Sequence, residues 1–103
     1  MGLRISSIFV TLFILLTTTA GANEIMARNL ILSQGCKGCH LFEGNGGTLG
    51  PALDNIGSRM KPAQIRQKLL APKTSTPKSI MPGFKHLRDD EMKALVDFLA
   101  SRK

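Results

Sequence analysis

The chain has 103 residues, of which 14 are Lys or Arg and seven are Asp or Glu, and its net charge is +7. This length corresponds to one small domain, and such a domain buries too little of its surface to be comfortably stable through side-chain packing alone. Length and composition therefore exclude a large multi-site enzyme, a multidomain receptor and a polytopic membrane protein, and they favour a compact module with a bound cofactor.

Residues 1–22 have the features of a secretory signal peptide. Arg4 supplies a short positive region, residues 5–16 are mostly apolar, and the small residues that end at Ala22 fit a cleavage site. We predict cleavage after Ala22, a mature domain of residues 23–103 and export to the periplasm. The alternative is an uncleaved membrane anchor, because the apolar stretch approaches the length that spans a bilayer.

The mature domain would remain strongly basic, because Arg4 is the only charged residue of the leader. Thirteen basic and seven acidic residues would remain, which gives a net charge of +6. Such a charge suits nucleic acid, a membrane surface or an acidic protein, and export argues against nucleic acid. We therefore expect an acidic protein partner and no nucleic acid.

The first predicted element is a helix over residues 24–34. Asn23 is suited to cap its first turn, and Gly35 is suited to end it in the left-handed conformation. Residues 43–50 are rich in glycine and other turn formers, which predicts a loop.

Two further helices are predicted in the C-terminal half. A proline at the first helical position and another beyond the end predict a helix over residues 62–70. The prolines of residues 73–84 predict an irregular segment. Residues 89–101 carry apolar side chains at i, i+3, i+4 and i+7, which predicts an amphipathic helix with Asp89 as its cap. No strand pattern is present, so the predicted fold class is all-α.

Cys36, Cys39 and His40 form the sequence C-x-x-C-H, which is the attachment sequence for c-type haem. In this arrangement both thiols form thioethers with the haem vinyl groups. His40 is held by the same turn and is placed beneath the iron as its proximal ligand. The motif therefore predicts one covalently bound haem c.

Three other interpretations of this motif are less favoured. A thioredoxin-type C-x-x-C requires a βαβ setting, and no strand pattern precedes the motif. A structural zinc site requires four ligands, whereas Cys36, Cys39 and His40 are joined only by the distant His86. A disulfide is compatible with export but leaves His40 and the small core unexplained.

With this motif, the chain resembles the small single-haem cytochromes c of bacterial and mitochondrial electron transfer, the class I family. The resemblance covers nearly all of residues 24–103 and rests on the order of four features. They are a helix that ends at C-x-x-C-H, the segment Gly50-Pro51-Ala52-Leu53, the segment Met81-Pro82-Gly83-Phe84 and an amphipathic last helix with Phe98. The resemblance implies the cytochrome c fold, in which three to four short helices surround one covalently bound haem.

The resemblance also implies which residues bind the cofactor. They are Cys36, Cys39, His40, Pro51, Leu53 and Met81. His40 and Met81 would be the axial iron ligands, and Leu53 would pack near the haem edge. The carbonyl of Pro51 would accept a hydrogen bond from the His40 imidazole, which fixes the tautomer and the orientation of the ring.

The sixth iron ligand decides the expected function. His86 is the rival of Met81, which is favoured because it lies in a proline-bounded segment that can aim a side chain. A thioether favours ferrous iron, raises the reduction potential and closes the iron to substrates. We expect an exported, monomeric electron carrier that is not an enzyme, with acidic redox proteins as partners and membrane contact only through a partner or an uncleaved leader. The alternatives are a haem sensor and a dedicated haem subunit of an exported oxidoreductase.

Overall fold

The computed structural model describes the backbone of residues 18–103 and the side chains of residues 21–103. Most of the predicted leader, residues 1–17, lies outside the described residues. The elements in chain order are α1 (Thr18–Ser33), a 3₁₀ turn (Cys36–Gly38), α2 (Ile56–Arg59), α3 (Pro62–Leu70), α4 (Pro72–Ser75) and α5 (Asp89–Ser101). The predicted all-α class is confirmed, with two single-turn helices, α2 and α4, beyond the three that the sequence predicts. No helix of the described residues is long and apolar enough to cross a membrane.

The first helix begins earlier than predicted. Asn23 was expected to cap it but lies within α1, so that expectation is wrong. The stretch before Asn23 lacks proline and includes two alanines, so nothing in it forces the backbone out of the helical conformation. The predicted end is correct, because Gly35 has a φ of 75° and stops the helix in the left-handed conformation.

The helix α3 has the predicted bounds, with Pro62 in its first turn and Ile65 and Leu69 buried. The following segment was predicted to be irregular throughout, but its first residues form α4. Pro72 explains why α3 ends and why α4 begins directly after it. It lacks the amide that would continue α3, while its fixed φ suits the first position of a new helix.

The helix α5 also has the predicted bounds but a different start. The amide of Arg88, which precedes the helix, donates to the carboxylate of Glu91 at 3.0 Å. Asp89 is the first helical residue and not the cap, because Glu91 reaches back to the free amide from the third position of the helix. The buried side chains of α5 are Met92, Ala94, Leu95, Val96, Phe98 and Leu99.

The core lies between α1, α3 and α5. The contact of α1 with α5 is the most extensive between two helices of the described residues. Ala27 of α1 has 0% exposure, and its small side chain permits close approach of a neighbouring helix. Loop residues complete the core, because Phe42, Leu53 and Phe84 are all buried in it. The core thus anchors the loops that carry the predicted site.

Candidate functional site

The C-x-x-C-H segment folds as a tight turn after α1. Cys36 begins the 3₁₀ turn, and the amide of His40 donates to the Cys36 carbonyl at 3.0 Å. Cys36 and Cys39 are both half-buried and free of a disulfide bond. Burial raises the pKa of the Cys36 thiol, because the thiolate is less well solvated there. One turn of chain therefore presents two thiols and an imidazole together.

The glycine-rich loop predicted at residues 43–50 is present and folds back onto this turn. The amide of Gly50 donates to the Cys39 carbonyl at 2.8 Å. A Cβ atom added at Gly50 would lie 2.4 Å from Cε1 of His40, so a side chain does not fit between the loop and the ring. Gly50 is therefore a site residue, although sequence analysis placed it in a motif without giving it a role.

A hydrogen bond to Pro51 fixes the His40 imidazole. Nδ1 of His40 lies 2.6 Å from the carbonyl oxygen of Pro51. A carbonyl can only accept, so Nδ1 carries the proton and Nε2 presents its lone pair. This is the contact that the family resemblance implies, and it fixes the tautomer and the orientation of the ring.

Leu53 lies at the base of the same loop. Its amide donates to the carbonyl of Leu41 at 2.9 Å, and its side chain is buried in the core. This hydrogen bond joins Leu41, the residue after His40, to Leu53, the residue before Asp54. It therefore closes the loop that carries Pro51.

Met81 lies in the segment between α4 and α5. Its side chain is half-buried against the core, and its amide donates to Oγ of Ser79 at 3.2 Å. It borders a cavity of about 480 Å³, which it shares with Leu70, Pro72, Ile80 and Lys85 among others. Sequence analysis predicted six site residues, and the structure brings four of them together: Cys36, Cys39, His40 and Pro51. It places Met81 on a cavity that none of these four lines.

The family model for cytochrome c matches residues 27–103. The chain belongs to the cytochrome c family. No curated protein matches the chain. The matched range contains the C-x-x-C-H turn, the loop with Pro51, Met81 and all of α5. The expected cytochrome c fold is thereby confirmed, and the protein is a haem-binding electron-transfer protein with covalently attached haem c.

The residues of this cytochrome c fit that cofactor. Cys36 and Cys39 are free thiols on one turn, as two thioether bonds to one porphyrin require. His40 has its Nδ1 proton engaged by Pro51, so its Nε2 lone pair is available to bind a metal. Gly50 has no side chain, so the His40 ring can occupy the space beside it. Donor chemistry and local geometry therefore agree with haem c.

His86, the rival ligand of Met81, is engaged elsewhere in the cytochrome. Its Nε2 atom lies 2.8 Å from Oε1 of Gln34, and the residue is exposed. An amide oxygen can only accept, so this Nε2 carries a proton and does not present a lone pair.

Sequence analysis missed a charged network at Glu43, the first residue of the glycine-rich loop. Arg28 of α1 binds the Glu43 carboxylate at 2.5 Å, and Arg102 approaches it at 3.8 Å. The hydrogen bond from the Arg28 guanidinium holds the pKa of Glu43 below its usual value. These three residues are far apart in sequence, so no local pattern could have indicated that they meet.

Proposed function

We propose that this cytochrome c is an exported one-electron carrier whose iron is ligated by His40 and Met81. The observation that carries the proposal is the hydrogen bond from His40 Nδ1 to the Pro51 carbonyl, because it leaves Nε2 for the iron. Haem c, when bound, supplies one-electron exchange between ferrous and ferric iron. Cys36 and Cys39 hold the cofactor through thioether bonds, so it remains with the carrier between partners.

The anchoring of its segment supports Met81 as the sixth ligand. Phe84 is buried, and its amide donates to the carbonyl of Leu69 at the end of α3 at 2.8 Å. The backbone three residues after Met81 is thus tied to a helix, and Pro82 restricts the backbone in between. A thioether is a soft neutral donor that favours ferrous iron, as a carrier of high reduction potential requires.

A basic surface supports acidic redox proteins as the partners. No Asp or Glu occurs between Asp54 and Asp89, although this interval holds eight of the 14 basic residues. Most of these eight side chains are exposed, and Lys73 and Lys85 border the same cavity as Met81. A surface of one sign attracts a partner of the opposite sign from a distance and raises the rate of encounter.

Export with cleavage after Ala22 is compatible with the packing of α1. Residues 21–25 are exposed, and the first buried side chain of the described part of α1 is Ala27. Cleavage would therefore remove the start of α1 without removing a described core side chain. The proposed carrier is then a monomer of residues 23–103 in the periplasm.

Carbon monoxide binding and intact mass test this proposal. A six-coordinate ferrous iron leaves no open position, so we expect the reduced protein to keep its visible spectrum under carbon monoxide. The secreted product should have the mass of residues 23–103 plus one haem, and the haem should survive acid–acetone extraction. Ready binding of carbon monoxide would favour the haem sensor instead. Co-purification with an oxidoreductase at a fixed ratio would favour the dedicated subunit.

A further inference from the structure

We propose that Arg28, Glu43 and Arg102 are positioning residues for His40. We call these three residues the arginine clamp. The clamp holds the loop that brings the Pro51 carbonyl to Nδ1 of His40, and through that hydrogen bond it sets the reduction potential. This inference rests on the proposed function in one respect, namely that His40 is an iron ligand.

The clamp ties the loop to both long helices. The Glu43 carboxylate lies 2.5 Å from Nη1 of Arg28, which belongs to α1. Its second oxygen lies 3.8 Å from Nη2 of Arg102, the residue that follows α5. One loop side chain thus bridges the two helices that form most of the core.

The same residues also close the loop on itself. The amide of Glu43 donates to Oδ1 of Asp54 at 2.8 Å, and Nη2 of Arg102 lies 4.0 Å from that oxygen. His40 precedes this closure in the chain, and Pro51 lies inside it. The Glu43–Asp54 contact is next to the Leu41–Leu53 hydrogen bond, so a shift of Glu43 relative to Asp54 would act through that bond on the separation of the imidazole from the Pro51 carbonyl.

Two aromatic rings give the clamp a packed base. The rings of Phe42 and Phe98 meet edge to face with their centroids 6.0 Å apart. The Arg28 guanidinium lies 5.2 Å from the Phe98 centroid, and the Arg102 guanidinium lies 5.2 Å from the Phe42 centroid. Both distances allow cation–π attraction, which limits the movement of the two long arginine side chains.

The backbone at Glu43 is strained in the tight turn that the Phe42–Asn45 bridge closes. Glu43 has a φ of 49°, a left-handed conformation that is unfavourable for a residue with a Cβ atom. A glycine would adopt this φ without cost. Such strain persists where the surrounding contacts hold the residue in place, as the two arginines and Asp54 do here.

The clamp would act on the iron through the basicity of His40. A carbonyl that accepts the Nδ1 proton makes the imidazole a more basic ligand, and a more basic ligand favours ferric iron. Loosening the loop would weaken this hydrogen bond. The reduction potential would therefore rise, while the residues that bind the haem remain unchanged.

Substitutions of Glu43 in the holoprotein test the proposal. Glu43→Gln keeps the size of the side chain and removes its charge, whereas Glu43→Gly removes the carboxylate and relieves the backbone strain. We expect both variants to speed solvent exchange of the His40 Nδ1 proton about two- to fivefold, as loss of an exposed ion pair would. Both should also raise the reduction potential. The exchange is measured by NMR of the reduced protein, and the potential by redox titration.

The matched control removes an exposed ion pair at the end of α5 opposite Arg102. Asp90→Asn breaks the pair of Arg88 with Asp90, which is 3.0 Å long, and should change neither quantity. The proposal is overturned if either Glu43 variant keeps the exchange rate and potential of the unmutated protein, or if Asp90→Asn shifts them equally. Failure of the proposed function would be seen separately, as carbon monoxide binding by the unmutated protein.

Discussion

The Nδ1 atom of His40 lies 2.6 Å from the carbonyl oxygen of Pro51. The two residues come together because the loop between them folds back onto the C-x-x-C-H turn. The loop approaches the imidazole ring at Gly50, where an added Cβ atom would lie 2.7 Å from Nδ1 itself. The geometry of the His40 imidazole therefore depends on a residue that lacks a side chain.

We predict that Gly50→Ala weakens the hydrogen bond from His40 to Pro51. The added Cβ atom would lie 2.4 Å from Cε1 of the ring, so the ring or the loop must move. The reduction potential should rise and the holoprotein should unfold at a lower temperature, as measured by redox titration and thermal unfolding. Met92→Ala is the control, because Met92 is a core residue of α5 that is 3% exposed and lies outside the loop. It should cost about 2–5 kcal/mol of stability and leave the potential unchanged. Equal shifts of potential in the two variants would exclude the ring contact as the cause.

We predict that Met81→Ala opens the iron to carbon monoxide and lowers the reduction potential. Both effects follow from loss of a soft, neutral donor that favours ferrous iron. The control is Met92→Ala, since Met92 is 3% exposed in the core. This large-to-small change should cost about 2–5 kcal/mol of unfolding free energy and preserve the haem spectrum. A Met81→Ala protein that still excludes carbon monoxide would show that another residue is the sixth ligand.

We predict that each cysteine supplies one thioether bond. Cys36→Ala and Cys39→Ala should each leave at most one covalent link and a holoprotein of much lower stability, because the cofactor provides much of the core of so small a domain. The double variant should lose its haem in acid–acetone. Intact mass before and after extraction measures the attachment, and haem retained by the double variant would contradict it.

The sequence predicts best where a local signal decides the structure. The bounds of α3 and α5 were correct because proline and the apolar period act within a few residues. C-x-x-C-H is equally local, since a single turn holds all its side chains. The start of α1 was wrong at Asn23 because a good capping residue does not end a helix that can continue through it. The cap at Asp89 was wrong because the Glu91 carboxylate accepts from the amide of Arg88, which makes Arg88 the residue that precedes the helix and Asp89 its first residue.

The contacts between distant parts of the chain could not be predicted. Glu43 meets Arg28 and Arg102 only because the packing of α1 against α5 brings the two arginines to one loop. The position of Arg102 just after the last helix suggests an exposed charge. It is instead half-buried against Phe42 and Phe98, which changes the choice of variants for any test of surface charge.

Lys78 and Lys85 are suitable for testing electrostatic steering, because both are exposed within the interval that lacks acidic residues. Lys37 is less suitable, since its ammonium group lies 5.5 Å from the Phe42 ring and its removal would disturb packing. Lys93 and Lys103 are the controls, because both are exposed and lie outside that interval.

We predict that oxidation of the reduced cytochrome by ferricyanide slows steeply with salt. Ferricyanide is a multiply charged anion and stands in for an acidic partner surface. The Debye length falls from about 30 Å at 0.01 M salt to about 3 Å at 1 M, so long-range attraction is lost across that range. Lys78→Glu and Lys85→Glu should slow the second-order rate at low salt more than Lys93→Glu or Lys103→Glu, and all should converge at high salt. Stopped-flow absorbance of the haem measures the rate. Equal losses in both pairs would mean that only the net charge matters, and a rate independent of salt would contradict steering by this surface.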